Sequence, residues 1–296
     1  MEQESIPGQD PLEPPDPRVA QAYLDVLPGL QSRREIVIDR RRLARLAIIE
    51  GVALAAYFLV FLTAWMLQRR AGTSTTTPVS AIAVYLTWVS LVPGLRERYG
   101  ARLALTAGQR TVQVLLIVGA LVAFLGIMIV DLAVAPLSPL WAGLPALFAA
   151  ASGLWAWRIL SHAARDQHRR PAPPHAEFTR AGRITTVICG IVLTACIVAT
   201  GLGAQPRFGT TISAFTCVAA TVVVLIGQFS GRATAVGEMW HAPQWTMFAI
   251  GAGAAATVVM LLAIAPGAAF PVSIMLGALI LVVSIVVSVR PEPTDE

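Results

Sequence analysis

The sequence predicts an all-α, polytopic membrane helix bundle of about eight transmembrane helices, and three observations carry that prediction. Eight predominantly apolar stretches occupy most of the 296-residue chain from about Arg45 onward, most of them close to the ~20 residues a helix needs to cross a ~30 Å hydrocarbon core. Only 13% of the residues are charged and 56% are hydrophobic, against roughly 25% charged in an ordinary soluble domain. The arginines gather in alternate connections between the apolar stretches, as a chain that crosses a membrane repeatedly requires.

The first 17 residues, MEQESIPGQDPLEPPDP, are acidic and proline-rich. They offer no basic region ahead of an apolar core, so no cleavable signal peptide is expected there, and residues 1–31 read as a mostly disordered cytoplasmic tail. Ser32-Arg33-Arg34-Glu35 then has the form of a capping box, in which the Ser32 hydroxyl accepts from the Glu35 amide and the Glu35 carboxylate accepts from the Ser32 amide. No proline or glycine follows before Gly51. One unbroken helix from 33 to about 67 is therefore expected, its first turns standing in the cytoplasm. The bland role for those turns is a topology signal. The functional one is a docking helix, similar to the amphipathic elbow helix ahead of the first span of many ABC permeases.

The spans read as 46 to 67, 79 to 95, 112 to 134, 140 to 157, 184 to 204, 209 to 229, 245 to 266 and 269 to 289. Lipid offers no partner to backbone N–H and C=O groups, so each must be helical. The second is bounded by Pro78 and Pro93, and the fourth is short and holds Pro145. With the N-terminus inside, 19 of the 22 arginines fall on the cytoplasmic side and only Arg69, Arg70 and Arg207 outside. That bias places both termini in the cytoplasm of a cell membrane. Trp65 and Trp141 are then expected at the outer interface, and Trp155, Trp157, Trp240 and Trp245 at the inner one.

The span starts also suggest an internal repeat. Spans one to four and five to eight begin at offsets of 138, 130, 133 and 129, and Leu132-Ala133-Val134-Ala135-Pro136 at the end of the third reappears as Leu262-Ala263-Ile264-Ala265-Pro266 at the end of the seventh. This divides the chain into a first four-helix half over 32–159, a cytoplasmic linker over 160–183, a second half over 184–289 and a tail over 290–296. Four spans per half keep the two halves parallel, related by an axis along the membrane normal.

Composition excludes several chemistries. The chain has neither lysine nor asparagine, the pattern of a GC-rich, bacterial genome. Without lysine it cannot form a P-loop or a Schiff base, so ATP-driven transport would need a separate ATPase subunit. The net charge of +5 sits in juxtamembrane arginines that suit anionic lipid rather than nucleic acid. No Cys-x-x-Cys, His-Glu-x-x-His or Gly-x-Ser-x-Gly pattern occurs, so enzymatic, cofactor and metal roles are not expected. His162, Asp166, His168 and His175 lie among Arg165, Arg169 and Arg170, which would repel a divalent cation. Cys189, Cys196 and Cys217 read as small apolar side chains.

Two carboxylates, Glu50 and Asp131, fall within or at the edge of a span, and an intramembrane carboxylate is a functional candidate because burying it unpaired is costly. Both lie near span ends. Glu50 is expected to pair with Arg45 or another inner arginine and Asp131 with Arg207, and anchoring is the expected role of each. Gly119 and Ala123 in the third span, and Gly251 and Ala255 in the seventh, have the small-xxx-small spacing of close helix packing, which places both spans in the bundle centre. Two functions remain, a permease-like membrane component of a transport system, slightly preferred, or a regulatory or scaffold protein that recruits cytoplasmic partners, with a membrane enzyme acting on lipid as a third.

Overall fold

A computed structural model describes residues 39–72, 78–99, 105–134, 136–165, 178–205, 209–229 and 232–289. Every regular element among them is helical. In chain order they are α1 (Arg40–Arg70), α2 (Pro78–Arg98), α3 (Ala107–Ala133), a 3₁₀ turn (Pro139–Ala142), α4 (Gly143–Ala163), α5 (Arg180–Leu202), α6 (Gly209–Phe229), α7 (Arg232–Met239), α8 (Ala242–Ile264) and α9 (Pro266–Val289). Six are long and apolar enough to cross a membrane: α1, α3, α4 with its 3₁₀ turn, α5, α8 and α9. The protein is thus a multi-pass helical membrane protein. Helices also occupy the two other predicted spans, as α2, which carries Pro93 inside it, and as α6.

Local chemistry sets several helix starts. Thr106 and Gln109 form a capping box ahead of α3, each side chain taking the other's backbone N–H at 3.4 and 3.1 Å. Thr179 accepts from Gly182 N at 3.3 Å and opens α5. Pro145 lies in the first turn of α4, where its missing N–H costs no helical hydrogen bond.

The unbroken helix expected from residue 33 is overturned. Asp39 is not helical, with φ −94° and ψ 84°, and its Oδ1 accepts from Arg42 N at 3.0 Å. An aspartate that caps an orphan N–H begins a helix there, and its Oδ2 also lies 3.2 Å from Arg42 Nε. The Ser32 and Glu35 box lies outside the described residues. α1 still extends about two turns beyond the apolar stretch that begins at 46, at ~3.6 residues per turn.

Close backbone approaches organise the packing. α1 packs most extensively on α4, and they cross where a Cβ added to Gly51 would lie 2.7 Å from Gly153 Cα. α5 packs likewise on α9, with Gly190 against Ser284 and Gly201 against Ser273. The largest core joins α2, α5, α7, α8 and α9 around Trp240, Phe248, Leu193, Val258 and Ile280. α7, unforeseen in the sequence, lies along α2 so closely that a Cβ on Gly237 would collide with the Leu91 carbonyl.

Two further expectations change. α3 is peripheral: only 11% of its apolar window is buried, and Leu115, Val122 and Ile129 face outward at 63% exposure each. α8 alone of the two small-faced helices is central, burying Gly251, Ala254, Ala255, Val258 and Val259. Trp240, expected at the inner interface, is buried among helices. It is 1% exposed, donates to Thr186 Oγ1 at 3.1 Å and meets Trp245 edge to face.

Candidate functional site

Asp131, near the C-terminal end of α3, is 1% exposed and fully engaged. Its Oδ2 accepts from Trp65 Nε1 at 3.2 Å and from Arg69 Nη1 at 3.3 Å, both on the last turns of α1. Its Oδ1 accepts from Leu137 N at 2.8 Å. Arg69 Nη2 also donates to Leu132 O and Arg70 Nη2 to Leu137 O, each at 3.0 Å. The carboxylate and the two arginines therefore clasp the end of α1 to the turn between α3 and α4. The partner expected in the sequence, Arg207, lies outside the described residues. Arg69 is its partner among the described residues, because the strong packing of α1 on α4 brings the end of α1 beside that turn.

Glu50 occupies the opposite end of α1. Both its carboxylate oxygens accept from Arg96 of α2, Oε1 from Nε at 2.7 Å and Oε2 from Nη2, a bidentate fork. The pairing with an inner arginine is as expected, but the arginine is Arg96. Partial burial opposes the charge of Arg96, which lies beyond the apolar stretch 79–95. The hydrogen bond and charge of Glu50 outweigh that burial and raise the guanidinium pKa above its ordinary value. Beside the pair a cavity of about 400 Å³ opens between α1, α2, α3 and α4, lined also by Glu97, Arg110 and Gln113.

The packing candidates divide between two interfaces. Gly119 faces Phe148 of α4, whose ring would stand 3.3 Å from an added Cβ, and Gly251 faces Leu193 of α5 at 2.9 Å. Ala255 is 4% exposed in the core, whereas Ala123 is half-buried on α3. Cys189 and Cys196 are buried and form no disulfide among the described residues. His162 lines a separate shallow pocket with Arg158, and Asp166, His168, His175 and the side chain of Cys217 lie outside the described residues.

Sequence reasoning missed Trp65, Arg69 and Arg96 as partners. The signal for the first two was the i, i+4 spacing of Trp65 and Arg69 at the end of an apolar run, which puts both on one helical face. At mid-depth a second cavity of about 300 Å³ lies between α1, α2 and α8, walled by Ala53, Val84, Trp88 and Gly253, with the stacked rings of Tyr57 and Tyr85 at its side and no charged lining residue.

The chain matches no known protein family, no curated relative and no solved structure.

Proposed function

We propose that this protein is a membrane-embedded scaffold or regulator that holds cytoplasmic partners at the cell membrane and has no translocation pathway of its own. One observation carries the reading: each intramembrane carboxylate is bound to an arginine at an end of the bundle. Carriers coupled to protons or cations keep such groups on the conducting path. Here the mid-depth cavity has no charged lining, and rings of Trp88, Trp240 and Phe248 fill the core beside it.

In this reading α2 and α6 also cross, giving eight spans, and the end that carries Arg40–Arg45, Arg96, Arg110 and Arg158 faces the cytoplasm with both termini. Single-cysteine variants in a cysteine-free background test the orientation. External reagent should label positions 74 and 206 and leave 172 untouched, and the opposite pattern overturns it.

A second reading, a permease-like component served by a separate ATPase, draws support from packing of the kind a parallel 4+4 repeat would give. The first helix of each half packs most extensively on the last. The close-approach pairs Gly51 with Gly153 and Gly190 with Ser284 are related by shifts of 139 and 131 positions, close to the span offsets. Cross-linking in cells followed by purification separates the readings, with replacement of residues 166–177 by a glycine-serine segment as the comparison. The scaffold reading expects a soluble cytoplasmic protein that the replacement releases. A captured nucleotide-binding subunit whose ATP hydrolysis this chain stimulates would establish transport instead.

A further inference from the structure

We infer that the cavity between α1, α2 and α8 binds a bilayer-soluble quinone, an uncharged flat ring that carries carbonyl acceptors and an apolar tail. Ligand sites are mostly apolar hollows of ~300–1,000 Å³ in which a few polar groups fix orientation, and this one has about 300 Å³ and no charged lining residue. Its depth calls for a ligand that resides in the hydrocarbon core. Tyr57 stands eleven residues past the start of the apolar stretch 46–67, about 16 Å at ~1.5 Å per residue, which is close to the midplane of a ~30 Å core. The cavity also opens sideways. Of its lining residues, Ala56, Ala249 and Gly253 are exposed, and none of these three has a side chain long enough to plug the opening.

Three lining side chains are polar, Tyr57, Tyr85 and Trp88. Their hydroxyls and indole N–H make no hydrogen bond among the described residues, and each remains accessible rather than sealed in the core. A polar group without a partner in hydrocarbon is costly, so an occupant that engages these groups is favoured over one that does not. An indole N–H only donates, whereas a phenol both donates and accepts, and the carbonyls of the three helices are taken by their own backbones. The lining therefore holds more donors than acceptors, which suits carbonyl oxygens. A phospholipid acyl chain brings no acceptor to this depth, because its ester oxygens lie at the interface. The aromatic lining suits a flat ring. Tyr57 stacks on Tyr85 with centroids 4.6 Å apart and planes 22° apart, and Trp88 stacks on Phe248 at 5.9 Å and 29°, so a planar ligand can add to the offset stacking that such rings prefer. The small residues Ala249, Ala252 and Gly253 of α8 leave space for it.

The test uses the full-length protein in phosphatidylcholine nanodiscs with two probes, decylubiquinone and decylbenzene, which share a ring and a ten-carbon tail and differ in the carbonyl oxygens. Native mass spectrometry reads which probe stays bound. Decylubiquinone should be retained at one per chain and about tenfold over decylbenzene, the factor expected from one or two added hydrogen bonds. The double variant Tyr57→Phe with Tyr85→Phe keeps both rings and should remove most of that preference. Gly253→Leu fills the cavity from its exposed wall, where an added Cβ meets nothing within 4 Å. It should expel both probes while the thermal midpoint stays near that of the parent, and it thus tests the site even if the double variant fails to fold. Gly126→Leu, at an equally open position on α3 outside the cavity, should leave retention intact. Equal retention of the two probes, as a purely hydrocarbon-binding hollow gives, overturns the inference. So does a preference that survives the double variant, or retention that survives Gly253→Leu.

Discussion

The two intramembrane carboxylates sit at opposite ends of the bundle and have opposite surroundings. Asp131 has a side chain 1% exposed and takes hydrogen bonds from two side chains and one backbone amide. Glu50 has a side chain 13% exposed, a single side-chain partner among the described residues that is itself 45% exposed, and an open cavity at its side. A charge desolvated on all sides must have all its partners in place, whereas one at a wet edge tolerates exchange. The contrast gives Asp131 the surroundings of a group that holds helices together and places Glu50 beside an open cavity.

The largest effect should come from Arg69→Ala, which strands a buried carboxylate. Loss of one partner of a buried pair costs about 3–5 kcal/mol, to be read as a marked fall in thermal midpoint in detergent. A midpoint unchanged by this substitution would remove the structural role assigned to Asp131. Asp131→Asn keeps shape and some hydrogen bonding and should cost about 1–3 kcal/mol by the same measurement. Gly190→Ala brings a Cβ onto Ser284 and should cost about 1–3 kcal/mol through overpacking. Adding Ser284→Gly should recover most of that loss, and failure to recover would mean that α5 and α9 do not cross there. Glu50→Gln should be mildest by the same measurement, about 0–1 kcal/mol as for exposed pairs.

The helices were legible in the sequence because hydropathy and length report on membrane crossing, and the two weakest stretches, 79 to 95 and 140 to 157, still coincide with α2 and with the 3₁₀ turn and α4. Which helix lies at the centre was not legible. Lipid tails are as apolar as a protein core, so the small residues Gly119 and Ala123 could not distinguish a central α3 from one that meets α4 along one face. The start of α1 differs from the expectation because Asp39, a short acidic side chain just ahead of the arginines, can accept from Arg42 N and cap the helix there. α7 escaped because its eight residues are too short and too mixed to show a helical period. The sequence marked both carboxylates as lying near span ends, and the structure pairs each with an arginine. The identity of Arg69 and Arg96 as partners depends on which helices become neighbours, and spacing along the chain does not contain that.

The clasp at Asp131 bears on biogenesis. On the proposed orientation Arg69 and Arg70 must be carried across the membrane during synthesis, against the bias that retains such residues inside. Their carboxylate partner lies 62 residues after Arg69 and emerges only when the third span is made. On that orientation, and with α2 crossing as proposed, the hairpin of α1 and α2 would be inserted provisionally and secured only when α3 delivers Asp131 to the far side. A nascent chain truncated before residue 131 should populate both orientations of α1, and one extended past Leu137 should populate a single orientation.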